Sequence, residues 1–162
     1  MTAVLEADTQ QLRRVFGAFP TGVTAVAVER DGQPIGMAAS SFTSVSLYPP
    51  LVSINVSNSS ETWPLLAGSP RLGVSVLSED QERACRQLAG PSADRFTGLS
   101  WDTSPDGALR LDGASAWLDC SIAQVIPAGD HLIVVLAVHE FSDHPQSAPL
   151  VFHASQYRRL NL

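Results

Sequence analysis

Residues 22–40 read GVTAVAVERDGQPIGMAAS, and the pattern of this stretch decides the fold class. From Gly22 to Glu29 the residues are small, β-branched and apolar, which is the composition of a strand. Asp31-Gly32 follows, the pair favoured in a tight hairpin turn because its second position needs positive φ. A second strand is expected from Pro34 to Ser40. The segment therefore predicts a β-hairpin rather than the strand-then-helix unit of a parallel sheet.

Towards the N-terminus, residues 1–8 read as a flexible tail. Leu12, Val15, Phe16 and Phe19 then recur at i, i+3, i+4, i+7, an amphipathic helix that Asp8 or Thr9 can cap and Pro20 stops. Towards the C-terminus, strands are expected at Leu51–Val56 and Arg71–Leu77, with a short helix at Thr62–Ala67 closed by Gly68-Ser69-Pro70. Ser78-Glu79-Asp80-Gln81 is a capping-box pattern, opening a helix that ends at Gly90-Pro91. Ser92 to Gly113 reads as loop. Ala116–Ile126 and His131–Phe141 read as two long strands joined by Pro127-Ala128-Gly129-Asp130. Strands outnumber helices and follow one another as hairpins, so residues 9–162 are expected to form one mainly β, antiparallel domain with short helices, a barrel or sandwich. The fingerprint G-x-G-x-x-G is absent; a nucleotide would bind here without a Rossmann unit.

Composition narrows the chemistry. Of 162 residues 44% are hydrophobic, enough for one sizeable core. All ten basic residues are arginine, which excludes Schiff-base lysine chemistry and a P-loop lysine. The net charge of −6 and the scattered arginines disfavour nucleic acid as a partner. Cys85 and Cys120 lie in no metal-ligand spacing and read as reduced thiols. No signal-like stretch or membrane-length apolar run is visible, so a soluble cytoplasmic protein without a membrane partner is expected.

Three segments carry candidate chemistry. Gly32 to Ser60 is a 29-residue stretch without a charged side chain that holds eight serines, Thr43, Asn55 and Asn58. Hydroxyls, amides and backbone N–H groups in such number suit a neutral, flat, hydrogen-bonding ligand such as an isoalloxazine ring; alternatively, the serines decorate an exposed strand face. Ser57-Asn58-Ser59-Ser60-Glu61-Thr62 precedes the short helix, where a phosphate can be held by hydroxyls and free N–H groups, or where Ser59 or Ser60 is simply an N-cap. Gly129-Asp130-His131 delivers a histidine to the start of an apolar strand, as a hydrogen-bond donor, an acid, a partner for a nicotinamide ring or a structural residue. Arg95-Phe96 and Tyr157 complete the set, with a surface ion pair and a core edge as their plainer uses. Trp63, Trp101 and Trp117 are expected to pack.

The order and wording of these segments resemble the flavin reductase family, the short-chain reductase components of two-component flavin monooxygenases. The carriers are Phe19-Pro20-Thr21-Gly22-Val23, Gly36-Met37-Ala38-Ala39-Ser40-Ser41-Phe42, Ser46-Leu47-Tyr48-Pro49-Pro50-Leu51-Val52 and the serine cluster through Thr62. Asp94-Arg95-Phe96, Gly129-Asp130-His131 and Pro149-Leu150-Val151-Phe152 with Tyr157 follow. The resemblance implies a split β-barrel that binds FMN or FAD, a homodimer with flavin at the subunit interface, and reduction of flavin by NADH or NADPH for a separate monooxygenase. It places Met37, Ala38, Ala39, Ser40 and Ser41 at the isoalloxazine edge. By the same resemblance Ser57, Ser60 and Thr62 would hold the ribityl phosphate, helped by the helix N-terminus and Arg95, with Phe96 next in the motif. Pro20, Thr21, Gly22 and Val23 line the flavin and nicotinamide pocket, His131 lies beside the nicotinamide as the catalytic candidate, and Tyr157 closes the site. The chain departs from the family at Ala38, where relatives commonly carry threonine, and at Ser40, where they often carry asparagine. A non-catalytic flavin- or haem-binding split barrel is the alternative reading, and Gly129-Asp130-His131 argues against it; a plain dimeric interaction domain is a third.

Overall fold

The computed structural model describes residues 8–162. Helix α1 is Thr9–Gly17; strands β1 (Thr21–Gly22), β2 (Thr24–Arg30), β3 (Gln33–Ala39), β4 (Thr43–Leu47) and β5 (Pro50–Ser57) follow. Helix α2 (Trp63–Ala67), strand β6 (Leu72–Val76) and helix α3 (Glu82–Leu88) come next. Strands β7 (Trp101–Thr103), β8 (Leu109–Leu111), β9 (Ala116–Ala128), β10 (His131–Asp143), β11 (Val151–His153) and β12 (Gln156–Arg158) complete the chain. Of the expected tail, residues 1–7 lie outside the described residues, and Asp8 caps α1 by accepting from the N–H groups of Gln10 (2.9 Å) and Gln11 (3.3 Å).

Seven strands form one antiparallel sheet in the order β3-β2-β6-β9-β10-β5-β4. Its end strand β3 comes back to β5: Ser41 Oγ donates to the Asn55 carbonyl at 3.0 Å and accepts the Asn55 N–H at 2.8 Å. The sheet thus curls on itself and is tied by a side chain where a closed barrel would have a ladder, the arrangement of a split barrel. Both hairpin turns named in the sequence form: Asp31 and Gly32 both have positive φ, as a type I′ turn requires, and Gly129 alone does so in the Gly129-Asp130 turn, as in type II′.

Strand β2 explains why its sequence is apolar without alternation. Val26 and Val28 face an inner core with Ile54, Leu72, Val74, Val134 and Leu136, while Ala25 and Ala27 face an outer one with Leu88, Phe96, Leu109 and Leu111. Helix α3 and the β7–β8 hairpin therefore cover the outer face of β2, and small alanines there let them approach. Ser92–Gly113, expected to be loop, contains that hairpin; Leu109 and Leu111 are its buried residues. Strand β4, absent from the expectation, adds an exposed edge to β5. The hydrophobic stripe of α1 is present, yet Val15, Phe16 and Phe19 are 61%, 69% and 76% exposed. No described helix is long and apolar enough to cross a membrane.

Candidate active site

Three adjoining hollows share the C-terminal half of β3. The first, about 760 Å³, runs from Met37 and Ala38 past Ser59, Ser60, Glu61 and Thr62 to Leu88–Ser92 and Arg95. The second, about 610 Å³, is lined by Met37–Ser41, Asn55–Ser57, Ser60, Asp130, His131 and Phe16 of α1. The third, about 190 Å³, lies behind Ala38–Ser40 and is walled by Val23, Cys85, Ala89, Phe152 and Tyr157. The curl that returns β3 to β5 sets these walls against each other.

Arg95 organises the first hollow. Its Nε donates to the Gly90 carbonyl at 2.9 Å, and its Nη1 donates to the Gly36 carbonyl at 2.9 Å and to Thr62 Oγ1 at 2.8 Å. No carboxylate pairs with it among the described residues. The expectation of a surface ion pair therefore gives way to a half-buried cation held by neutral acceptors, with its charge left for an anion. The start of α2 offers less than its position suggested. Ser60 Oγ accepts the Trp63 N–H at 3.1 Å, Pro64 has no N–H, and the Leu65 N–H bonds Thr62 O. The polar groups this end offers an anion are hydroxyls and Arg95 rather than helix N–H groups.

In the second hollow His131 Nδ1 lies 2.7 Å from Asp130 Oδ1. That hydrogen bond orients the ring and lowers the Asp130 carboxyl below its ordinary value. Ser57 Oγ and Ser59 Oγ are 2.8 Å apart, and Ser60 Oγ approaches Met37 Sδ at 4.0 Å. Ser41 lines the hollow, but its hydroxyl proton is committed to Asn55 O; Ser40, exposed, has a hydroxyl without a partner among the described residues. The Ala39 carbonyl accepts from the buried Thr24 hydroxyl at 2.8 Å, fixing β3 where it borders all three hollows.

Around the third hollow, Tyr157 OH lies 3.2 Å from Cys85 Sγ, the Arg86 guanidinium sits 4.6 Å from its ring centre, and Phe152 packs at 5.3 Å. Burial pushes the Tyr157 hydroxyl up to about 12 and raises the Cys85 thiol. Val23 borders this hollow, whereas Pro20, Thr21 and Gly22 line none; Thr21 and Gly22 pair with Phe152 and Val151 behind it. Phe96 is buried beneath β3, edge-on to Trp101 at 5.7 Å, and so supports the site without bordering the three hollows. Phe16, Cys85, Phe152 and the end of α3 border the hollows although the sequence assigned none of them to the site, whereas Asn55, which also borders one, was named within the uncharged stretch. Gly90-Pro91 was visible only as a helix stop.

Comparison with known proteins bears on this geometry. The model of the flavin reductase like domain matches residues 16–161. A flavin reductase of Pseudomonas putida is 41% identical over 151 residues, 93% of this chain and 89% of that protein. The reductase subunit of a flavin-dependent monooxygenase from Rhodococcus jostii is 37% identical, over 93% of this chain and 77% of its own. The solved structure of the NADH:FAD oxidoreductase of Streptomyces globisporus, in complex with NAD and FAD fragments, superposes with a TM-score of 0.89 at 42% identity, covering 94% of this chain and 93% of that one. On sequence, on fold and over nearly its whole length, the chain belongs to the flavin reductase like domain family.

Proposed function

We propose that the chain is an NAD(P)H:flavin oxidoreductase that delivers reduced flavin to a separate monooxygenase, and that the three hollows along β3 are its site. The carrying observation is the half-buried Arg95, unpaired with any described carboxylate, at one end of a cleft whose central wall, Met37–Ser41, is uncharged. A flavin has that division, a neutral ring system at one end and an anionic phosphate at the other. When bound, the nicotinamide nucleotide and flavin supply hydride donor and acceptor.

The chain's own residues position and neutralise. Arg95, Thr62, Ser60 and Ser57 hold the phosphate; Met37, Ala38, Ala39 and the hydroxyl of Ser40 lie along the ring edge, where negative charge gathers on reduction. Ser41 acts one step back, fixing β3 against β5. His131, held by Asp130, presents its other ring nitrogen to the hollow. Val23, Phe152 and Tyr157 close the rear wall, and Pro20, Thr21 and Gly22 hold that wall in place. NADH with FAD is the favoured pair: the Streptomyces relative is an NADH:FAD oxidoreductase, and Asp130 beside His131 disfavours the extra phosphate of NADPH.

The exposed stripe of α1, with Leu47 at 93% and Tyr48 at 98% exposure, supports a homodimer, and Phe16 carries that stripe into the His131 hollow. Residues 9–162 act as one domain, in the cytoplasm. Purified protein mixed with FMN or FAD and NADH or NADPH should consume reduced nucleotide, fastest with FAD and NADH. No oxidation in any of the four combinations would overturn the reading.

A further inference from the structure

Residues Val23–Val28 are all buried, and Thr24 is the one polar side chain among them. Alternation puts it on the face of Val26 and Val28, towards the inner core, where valine would fill the same space without the cost of burying a hydroxyl. Thr24 is 2% exposed, and its Oγ1 donates to one acceptor, the Ala39 carbonyl, at 2.8 Å. The β2–β3 ladder ends on these same two residues, so this carbonyl is the last point at which β2 holds β3. In a trans peptide C=O and N–H point in opposite directions, so an Ala39 carbonyl turned to β2 turns the Ser40 N–H away from it. On that side of β3 lies the gap to β5, lined by Met37–Ser41 along one wall and Asn55–Ser57 along the other. The Ser40 N–H has no backbone partner there among the described residues.

We infer that Thr24 is a positioning residue for flavin reduction: its buried hydroxyl sets the Ala39–Ser40 peptide so that the Ser40 N–H faces the ring edge on which negative charge gathers. The inference rests on the flavin reductase reading. Thr24 itself borders none of the three hollows and acts through β3. Beyond Ser40 the chain is held again, by the two bonds between Ser41 and Asn55, so the Ser40 peptide is suspended between two fixed points. A donor fixed in this way needs no rearrangement as charge develops, and its bond to a charged acceptor is stronger than its bond to a neutral one. It therefore favours the reduced ring over the oxidised one.

The test is titration of the purified full chain with oxidised FAD and, anaerobically, with dithionite-reduced FAD. Thr24→Val keeps the shape and removes the hydroxyl; it should weaken binding of reduced FAD about three- to tenfold and of oxidised FAD by less than about twofold. Thr24→Ser keeps the hydroxyl and should bring reduced FAD back to within about twofold of wild type. Equal losses for the two forms, or no loss for either, would overturn the assignment, because a role in folding alone weakens both alike. If Thr24→Val fails to fold, the isotope-labelled wild-type chain decides. Its Ser40 amide resonance should move further on binding reduced FAD than on binding oxidised FAD, and a resonance that moves equally with both, or with neither, overturns the assignment. A wild-type chain that binds neither form would instead defeat the flavin reductase reading itself.

Discussion

Arg95 Nη1 donates to Thr62 Oγ1 at 2.8 Å, joining the segment that follows α3 to the start of α2. The same nitrogen reaches the Gly36 carbonyl, so one guanidinium sets the width of this end of the cleft, where the proposed function puts the flavin phosphate. Lysine keeps the charge but has no planar fork to span these acceptors. Arg95→Lys should weaken FMN or FAD binding about tenfold, the scale of one charge-assisted hydrogen bond, and leave riboflavin binding within about twofold. Fluorescence titration with the three flavins measures this, and equal losses for all three would contradict a phosphate role.

His131→Ala should impair NADH-dependent flavin reduction more than flavin binding. Stopped-flow reduction under saturating flavin should slow about tenfold or more, as expected for losing a group that orients a reacting ring. An unaltered rate removes His131 from the mechanism.

Asp130, beside this histidine, has a defined pH behaviour of its own. Its carboxyl is held below the ordinary value by the hydrogen bond to His131. A lowered value in the folded chain means that the contact is complete above the ordinary carboxylate range and is lost only as pH falls through the lowered one. Between pH 5 and 8 the Asp130 carboxylate should therefore stay ionised, and Asp130→Asn should lower turnover by loosening the hold on the His131 ring. A carboxyl NMR titration of Asp130 that breaks at or above the free-carboxylate value would refute the contact.

The hairpin at residues 22–40 was legible because its turn residues and strand composition are local. So was the α1 stripe, although not its destination, since periodicity marks a face and not what covers it. The β7–β8 hairpin was hidden because three-residue strands among Gly, Pro and Asp carry no measurable alternation; only Leu109 and Leu111 hinted at burial. Strand β4 was missed because its side chains are exposed or half-exposed and largely hydroxyl-bearing. At the candidate site, Met37–Ser41 were named through the family resemblance and His131 through its Gly-Asp-His turn, and both border the second hollow. The use of Ser41 on Asn55, and of Arg95 on Gly36 and Thr62, was not legible, because each partner lies 14 to 59 residues away in the chain.

Gly73 is a second kind of constraint. A Cβ at this position would overlap the Leu109 backbone where β6 passes beneath β8. The contact is with main chain on both sides, so no rotamer relieves it. Gly73→Ala should cost about 3 kcal/mol or prevent folding, lowering the thermal midpoint well beyond the effect of a surface Gly→Ala such as Gly68→Ala, whose Cβ would meet nothing. Circular dichroism melts of the two variants make the comparison.

The last prediction concerns α1. Helix α1, with Val15, Phe16 and, just past its end, Phe19 facing solvent, has no buried residue among the described residues to hold that face, and three such side chains are worth about 1.5–3 kcal/mol each when buried. In the proposed dimer a second copy of the chain would supply the burial, and because Phe16 also borders the His131 hollow, the same contact would complete a wall of the proposed site. Sedimentation equilibrium should find the wild-type chain dimeric at micromolar concentration. Phe16→Asp combined with Phe19→Asp should shift it to monomer and lower turnover together, with the strand signal in far-ultraviolet circular dichroism retained. Phe19→Asp alone, away from the hollow, should weaken association while the activity of the remaining dimer stays near that of wild type. A monomeric wild-type chain with full activity would show that the site is complete within one copy, and would leave the α1 stripe without a role in catalysis.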